Sequence, residues 1–160
     1  MQEGVSRLEK QGIKVMARNR EAYHEYFVEE EMEAGIELCG TEVKSIRQGT
    51  LNLKDAWCGI KDGQILLNQM HISPYEHGNI FNRDPMRPRR LLMHKREIMR
   101  LYGKVKQDGY SLIPLTVYFK GSRVKVKVGL CKGKKLYDKR QAAANRDAKR
   151  QMERAMKERY

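Results

Sequence analysis

The sequence predicts a mainly β fold: a small closed antiparallel barrel of the OB type with a few helices and a basic C-terminal tail. Three observations carry this. Apolar residues alternate in short runs, most clearly at Ile113, Leu115, Val117 and Phe119 and again at Val124, Val126, Val128 and Leu130. One well-formed helical pattern interrupts the runs. Large apolar side chains nearly cease after Cys131, where basic residues accumulate. A chain of 160 residues is room for one ordinary domain. Six or so short strands with one inserted helix fit a five- or six-stranded Greek-key barrel, although a half-open sheet would read alike.

Ile13-Lys14-Val15-Met16-Ala17 reads as a short strand. Tyr26 to Leu38 holds β-type residues and reads as extended, with a break at Ala34-Gly35. Thr41 is placed to cap a short helix running to Gln48, which Gly49 stops. Two apolar runs, Ala56 to Ile60 and Gln64 to Leu67, flank Lys61-Asp62-Gly63; Asp-Gly in that setting predicts a hairpin. From His94 to Gln107, Ile98, Leu101, Tyr102 and Val105 fall on one helical face, and Asp108-Gly109 ends the helix. Lys120-Gly121-Ser122-Arg123 turns between the two last strands. Lys125 and Lys127 there point away from the valines, which makes one sheet face basic.

Lys and Arg number 33 against 20 Asp and Glu, a formal net charge of +13. Charge of this size favours a polyanionic partner, nucleic acid or an acidic membrane. The N-terminal residues show no apolar segment of signal-peptide type, and no run approaches the ~18–20 residues that span a bilayer. Residues 132–160 hold eleven Lys and Arg against four Asp and Glu, a net +7. This stretch buries too little to offset its ordering entropy, so it is expected to be disordered when free. Its alanines, the Glu153–Lys157 pair and the thin stripe of Ala148, Met152, Ala155 and Met156 suit a helix that forms on a surface. The expected organisation is therefore a flexible arm at 1–12, a barrel at 13–131 and a tail at 132–160. A membrane-surface role for the tail is disfavoured because the stripe lacks Trp and Phe.

Between strands, His71 to Arg90 forms a long loop with Pro74, Pro85 and Pro88 and the arginines Arg83, Arg87, Arg89 and Arg90. Arginines on a proline-stiffened loop suit phosphate contacts, and Tyr75, Asn79 and Phe81 suit bases. Catalytic constellations do not emerge. Gly133-Lys134-Lys135 lacks the rest of a phosphate loop. Glu42-Val43-Lys44 lacks the earlier Asp of a metal-dependent nuclease, since the first Asp is Asp55. His71 and His77 lack metal-ligand spacing. Cys39, Cys58 and Cys131 form no CxxC pair and read as reduced thiols of a cytosolic protein. The expectation is a non-enzyme with no catalytic residues, no metal and no cofactor.

Several blocks then point to a family. They are Asn19; His24-Glu25-Tyr26-Phe27; Glu33-Ala34-Gly35; Gly40-Thr41-Glu42-Val43-Lys44-Ser45; Asn52-Leu53; His71-Ile72-Ser73-Pro74-Tyr75; Asp84-Pro85; the stretch from Arg89 to Glu97; and Gly133-Lys134-Lys135-Leu136-Tyr137-Asp138-Lys139-Arg140. In this order, from about Val15 onward, the chain resembles the small protein B (SmpB) family, the bacterial partners of transfer-messenger RNA (tmRNA) in rescue of stalled ribosomes.

The resemblance implies an OB-type barrel that binds the tRNA-like domain of tmRNA, a tail that occupies the empty mRNA channel, a cytoplasmic monomer, and no membrane partner. The matching RNA-contact positions are Asn19, Glu33 and Leu92. To these the expected RNA surface adds Tyr26, Arg87, Arg89, Lys125 and Lys127. At the decoding centre and mRNA channel the expected residues are Gly133, Lys134, Lys135, Tyr137, Asp138, Lys139 and Arg140. Tyr137 stands where many members carry His, so stacking rather than protonation is its expected role. Ala148 stands where many carry Trp, and the N-terminal arm lacks the common lysine-rich stretch.

Overall fold

The computed structural model describes residues 12–76, 82–134 and 136–159, with 136–142 and 158–159 as backbone alone. Its strands are β1 (Ile13–Arg18), β2 (Tyr26–Ile36), β3 (Leu51–Asn52), β4 (Trp57–Lys61), β5 (Gln64–Asn68), β6 (His71–Ile72), β7 (Arg89–Leu92), β8 (Ser111–Lys120) and β9 (Arg123–Gly133). The helices are α1 (Arg20–Glu25), α2 (Gly40–Arg47), α3 (Lys95–Asp108) and α4 (Leu136–Arg159). The fold is mainly β.

The alternating apolar residues of β8 and β9 make the hairpin that the rest is built on. β9 pairs antiparallel with β8 along one edge and with β2 along the other, from Tyr26 opposite Gly133 to Gly35 opposite Lys125. β2 continues to β7, β7 to β5, and β5 to β4, which meets β8 at Cys58 opposite Leu112. The pairings thus run round a ring of strands. β1 takes the remaining length of the β8 edge, and β3 with β6 forms a separate two-stranded sheet. Inside the ring lie Leu67, Leu91, Val117, Val126 and Val128, with Ile98 and Leu101 of α3 packed onto the same core. The hairpin expected at Asp62-Gly63 is present; both residues adopt positive φ (53° and 74°), the conformation its two-residue turn demands.

Three expectations are corrected. β2 is continuous through Ala34-Gly35, and its irregularity falls between Val28 and Glu30. α2 begins two residues earlier than a Thr41 cap allows. Cys39 holds the cap position, and its N–H donates to Glu42 Oε1 at 2.9 Å. Tyr102 is 38% exposed and leaves the buried face of α3 to Ile98 and Leu101. The helix α1 went unforeseen, for it buries only Ala22 and so shows no period. Asn19 starts it by accepting from Ala22 N at 3.2 Å and donating to the Pro114 carbonyl at 3.0 Å.

A bulge between Pro114 and Thr116 in β8 aims Leu115 out of the ring, beneath α1. There Ile113, Leu115, Ala22 and Cys131 form a second small core. Gly129 leaves room at this point: a Cβ would lie 2.8 Å from Leu115 Cδ1 and 3.0 Å from Cys131 Sγ, and these side chains would have to shift. β9 itself runs on through Lys132 to Gly133, and Lys134 N–H then donates to the Glu25 carbonyl at 2.9 Å. α4 follows, with Arg146 3.5 Å from His24 Nδ1.

The loop between β6 and β7 is tied down from within. Glu42, 5% exposed, receives Arg89 Nε on Oε2 at 2.6 Å and is also bonded by Arg87 on both oxygens. Arg89, 0% exposed, donates further to the Met70 carbonyl at 2.5 Å and the Pro85 carbonyl at 3.0 Å. Burial pushes the Glu42 carboxyl up. The bonds from Arg87, the Cys39 N–H and Arg89 outweigh that and leave it below the ordinary carboxylate range. Glu42 therefore contributes stability that is complete above the unfolded-state value of about 4.3 and is lost as pH falls through the lower folded value. Removing the carboxylate strands the Arg89 cation in the interior. Glu42→Ala is expected to cost about 3–5 kcal/mol in denaturant unfolding, and pairing it with Arg89→Met to recover much of the loss.

Candidate nucleic-acid interface

Pairing across β7, β2 and β9 sets three residues in one row. Gly35 lies opposite Leu92 on one side and Lys125 on the other. Leu92 is 49% exposed, and Gly35 offers no side chain between it and Lys125. A Cβ on Gly35 would lie 3.2 Å from Leu92 Cβ, so glycine keeps the floor of the row low. The row opens into a groove of about 960 Å³ that Glu33, Arg90, His94 and Arg96 also line. Lys125 has no carboxylate within 4.0 Å among the described residues.

Glu33 is held from the neighbouring strands. Tyr118 Oη donates to its Oε2, and Lys120 Nζ lies 3.4 Å from Oε1. The Tyr118 hydrogen bond depresses the Glu33 carboxyl, with lesser help from Lys120 and Lys125 against the cost of burial. The Tyr118 phenol is pushed up by burial and by the same bond, so it stays a donor. Lys127 stands opposite Glu33 in register, but its ammonium is 3.6 Å from Glu31.

The other expected residues lie elsewhere. Asn19 and Tyr26 line a second hollow of about 470 Å³ with Glu21, Asp55 and the half-exposed Trp57. Both polar ends of Asn19 are already bonded, to Ala22 N and to the Pro114 carbonyl. Arg89 is corrected outright: its guanidinium faces the interior and cannot reach an outside phosphate. Arg87 has its Nε and one terminal nitrogen on Glu42. Strand parity explains the error, since in β7 the burial alternates and Arg90, not Arg89, points outward into the groove. Gly133 ends β9 opposite Tyr26, and Lys134 donates from Nζ to the Tyr23 carbonyl at 3.0 Å above the Phe27 ring. Tyr137, Asp138, Lys139 and Arg140 open α4, and their side chains lie outside the described residues, as do Lys135 and the loop residues His77, Asn79 and Phe81.

Sequence reasoning missed Tyr118 as the holder of Glu33, did not separate Arg90 from the other loop arginines, and missed Arg96. The first two were findable from alternation: Tyr118 is out of phase with Val117 and Phe119, as Arg90 is with Leu91.

The family model for "SmpB protein" matches residues 16–158. This chain belongs to the SmpB family. A relative named SsrA-binding protein from Caldanaerobacter subterraneus subsp. tengcongensis is 57% identical over 150 residues, covering 94% of this chain and 95% of the relative. Another of that name, from Caldicellulosiruptor bescii, is 60% identical over 146 residues, covering 91% and 92%. A chain from a solved structure described as "tmRNA-SmpB: a journey to the center of the bacterial ribosome" matches with a TM-score of 0.64 and 44% identity, over 79% of this chain and 93% of that one. Of the three RNA-contact positions that the resemblance implies, Glu33 and Leu92 line the groove and Asn19 lines the second hollow.

The hold on Glu33 is testable. Tyr118→Phe removes its strongest donor, so the Glu33 carboxyl should titrate at higher pH in an NMR titration. Stability lost on acidification should then disappear at a higher pH than in the parent, because the depressed value is what extends Glu33's contribution downward.

Proposed function

We propose that the chain is an RNA-binding adaptor of trans-translation. It binds the tRNA-like domain of tmRNA through the groove, delivers it to stalled ribosomes, and reads the vacant mRNA channel with α4. The observation that carries this is the row of Leu92, Gly35 and Lys125 on a ring of strands whose relatives are named SsrA-binding protein and whose solved neighbour is described as tmRNA-SmpB.

Each part of the row has a chemical use. Leu92 offers an apolar surface to an unstacked base or a sugar, which suits RNA loops rather than duplex. Lys125, roughly 10 Å away across two strand spacings, suits the phosphate of the same nucleotide or its neighbour. Glu33 is ionised and fixed, and accepts from base amino groups. A bare cationic face would bind any polyanion; a carboxylate and a leucine beside it reject most of them. Asn19 acts by holding α1 and the rim of the second hollow in place.

On this reading the ring is a closed OB-type barrel, spanning 13–131 with the strand end at Gly133. The tail beyond Lys134 is disordered when free and becomes helical in the channel, where rRNA phosphates neutralise its charge. Met152 and Met156 are exposed along α4, consistent with a helix that lacks its surface. Tyr137 to Arg140 dock at the decoding centre. The protein works as a cytoplasmic monomer without catalytic chemistry, its partners being tmRNA and the small ribosomal subunit. Among the described residues no helix is long and apolar enough to cross a membrane.

Two measurements test this. Leu92→Asn and Glu33→Arg are each expected to weaken binding of the tRNA-like RNA at least tenfold while circular dichroism and melting stay near the parent's. Parent-like binding by both, or equal loss on duplex RNA of the same charge, would leave only a general RNA-binding protein. In the tail, truncation after Gly133 should leave that RNA affinity largely intact and abolish peptide tagging on stalled ribosomes. Replacing Asp138, Lys139 and Arg140 together by alanine keeps helix propensity and most of the tail charge. Tagging should collapse all the same; normal tagging would reject local docking in favour of bulk charge.

A further inference from the structure

α3 has two faces, and only one is used inside the fold. Ile98 and Leu101 go to the core. A flank is neutralised within the molecule: Arg100 bridges Glu30 and Glu97, and Lys104 pairs with Asp108. The remaining sector carries Lys95, Met99, Tyr102, Gly103 and Lys106, spaced i, i+4, i+7, i+8 and i+11, with Arg96 at its edge. It runs for roughly 17 Å along the helix.

Four features of this sector are not demanded by the core. Met99 is 53% and Tyr102 38% exposed. The Lys106 ammonium sits 5.5 Å from the Tyr102 ring centroid, leaving the rest of the ring open. Lys95, Arg96 and Lys106 have no carboxylate within 4.0 Å among the described residues, although the acidic side chains on the same helix are all paired. Gly103 sits in mid-helix, where glycine weakens the helix, yet a Cβ there would meet nothing within 4 Å and its φ is not positive. Neither internal packing nor backbone conformation requires that glycine. What it gives is close access to the helix backbone from outside.

We infer that the outer face of α3 is a second RNA-binding strip, on which the RNA held in the Leu92 groove continues, with a base stacked on Tyr102, phosphates at Lys95 and Lys106, and the sugar–phosphate chain passing over Gly103. The occupant is RNA because the unpaired side chains are all cationic and the exposed ring is flanked by a cation, the combination that binds single strands. It is the same RNA because the groove and the strip are continuous: His94 and Arg96, at the start of α3, line the groove wall. The strip extends the binding surface of the proposed function and rests on that reading.

The test uses the full chain and a transcript of the tRNA-like domain of tmRNA, with affinity read by fluorescence anisotropy over a salt series. Gly103→Gln should raise the melting temperature, since it replaces glycine by a better helix former in open space, and lower RNA affinity about tenfold. A structural role alone would not move those two readouts in opposite directions. Tyr102→Ala should weaken binding about tenfold or more. Lys95→Gln with Lys106→Gln should reduce the slope of log affinity against log salt by about 1.4–1.8, from two lost phosphate contacts, while Gly103→Gln leaves the slope alone. Leu92→Asn is the reference. If it weakens binding and the strip variants bind like the parent, the strip is rejected and the groove stands. If the strip variants weaken binding and Leu92→Asn does not, the groove reading falls and the strip stands. Strip variants that keep RNA affinity but lose ribosome association would also overturn the inference, because the face would then serve another partner.

Discussion

The outward face of β7 depends on the buried contact between Glu42 and Arg89. A carboxylate and a guanidinium, both nearly removed from water, exist in the interior only because each satisfies the other and the remaining donors reach backbone carbonyls. The pair joins four separate pieces of chain: the first turn of α2, Met70 between β5 and β6, the Pro85 turn and the start of β7. Once Arg89 points inward, the two-residue period of a strand sends Arg90 out, Leu91 in and Leu92 out. The exposed leucine in the groove is thus positioned by a buried ion pair three residues away. Arg87 adds a second cation from the rim, which explains why one carboxylate holds so long a connection.

Charge is organised by the same logic on β2. Its glutamates would oppose RNA if they were free. Instead Glu29 accepts from Tyr110, Glu30 from Arg100, Glu31 from Tyr23 with Lys127 near, and Glu33 from Tyr118 and Lys120. These contacts spend part of the positive excess locally and fix the strand's outer surface. What remains unpaired, Lys125 and Arg96, lines the groove wall, with Arg90 only loosely opposed by Glu37 at 4.0 Å. Net charge alone gives a general attraction for polyanions; the pattern of pairing decides where that attraction is felt.

The bulges serve the opposite end of the molecule. Turning Leu115 outward gives β8 two buried faces, one toward the ring and one beneath α1. That second contact anchors a helix too short to stand alone. It also fixes the residues next to the root of α4, where Lys134 bonds backbone carbonyls of Tyr23 and Glu25. The ring, α1 and the exit of the tail are therefore one mechanical unit.

Local rules sufficed for much of this. The alternation of β8 and β9, the Asp62-Gly63 turn, the α3 face built on Ile98 and Leu101, and the charge-rich composition after Cys131 were legible because each depends on neighbours in sequence. Long motif blocks made the family legible as well. Only the tertiary structure decided what depends on distant partners. Asn19 is tied to Pro114, Glu33 to Tyr118, and Arg89 to Glu42 across 47 positions; no window on the chain contains both members of any of these pairs. The loop arginines looked alike in sequence, as four cations among prolines, until burial separated Arg89 from Arg90. Side-chain type states what a residue can bond to, and the fold alone determines whether that partner lies inside the molecule or outside it.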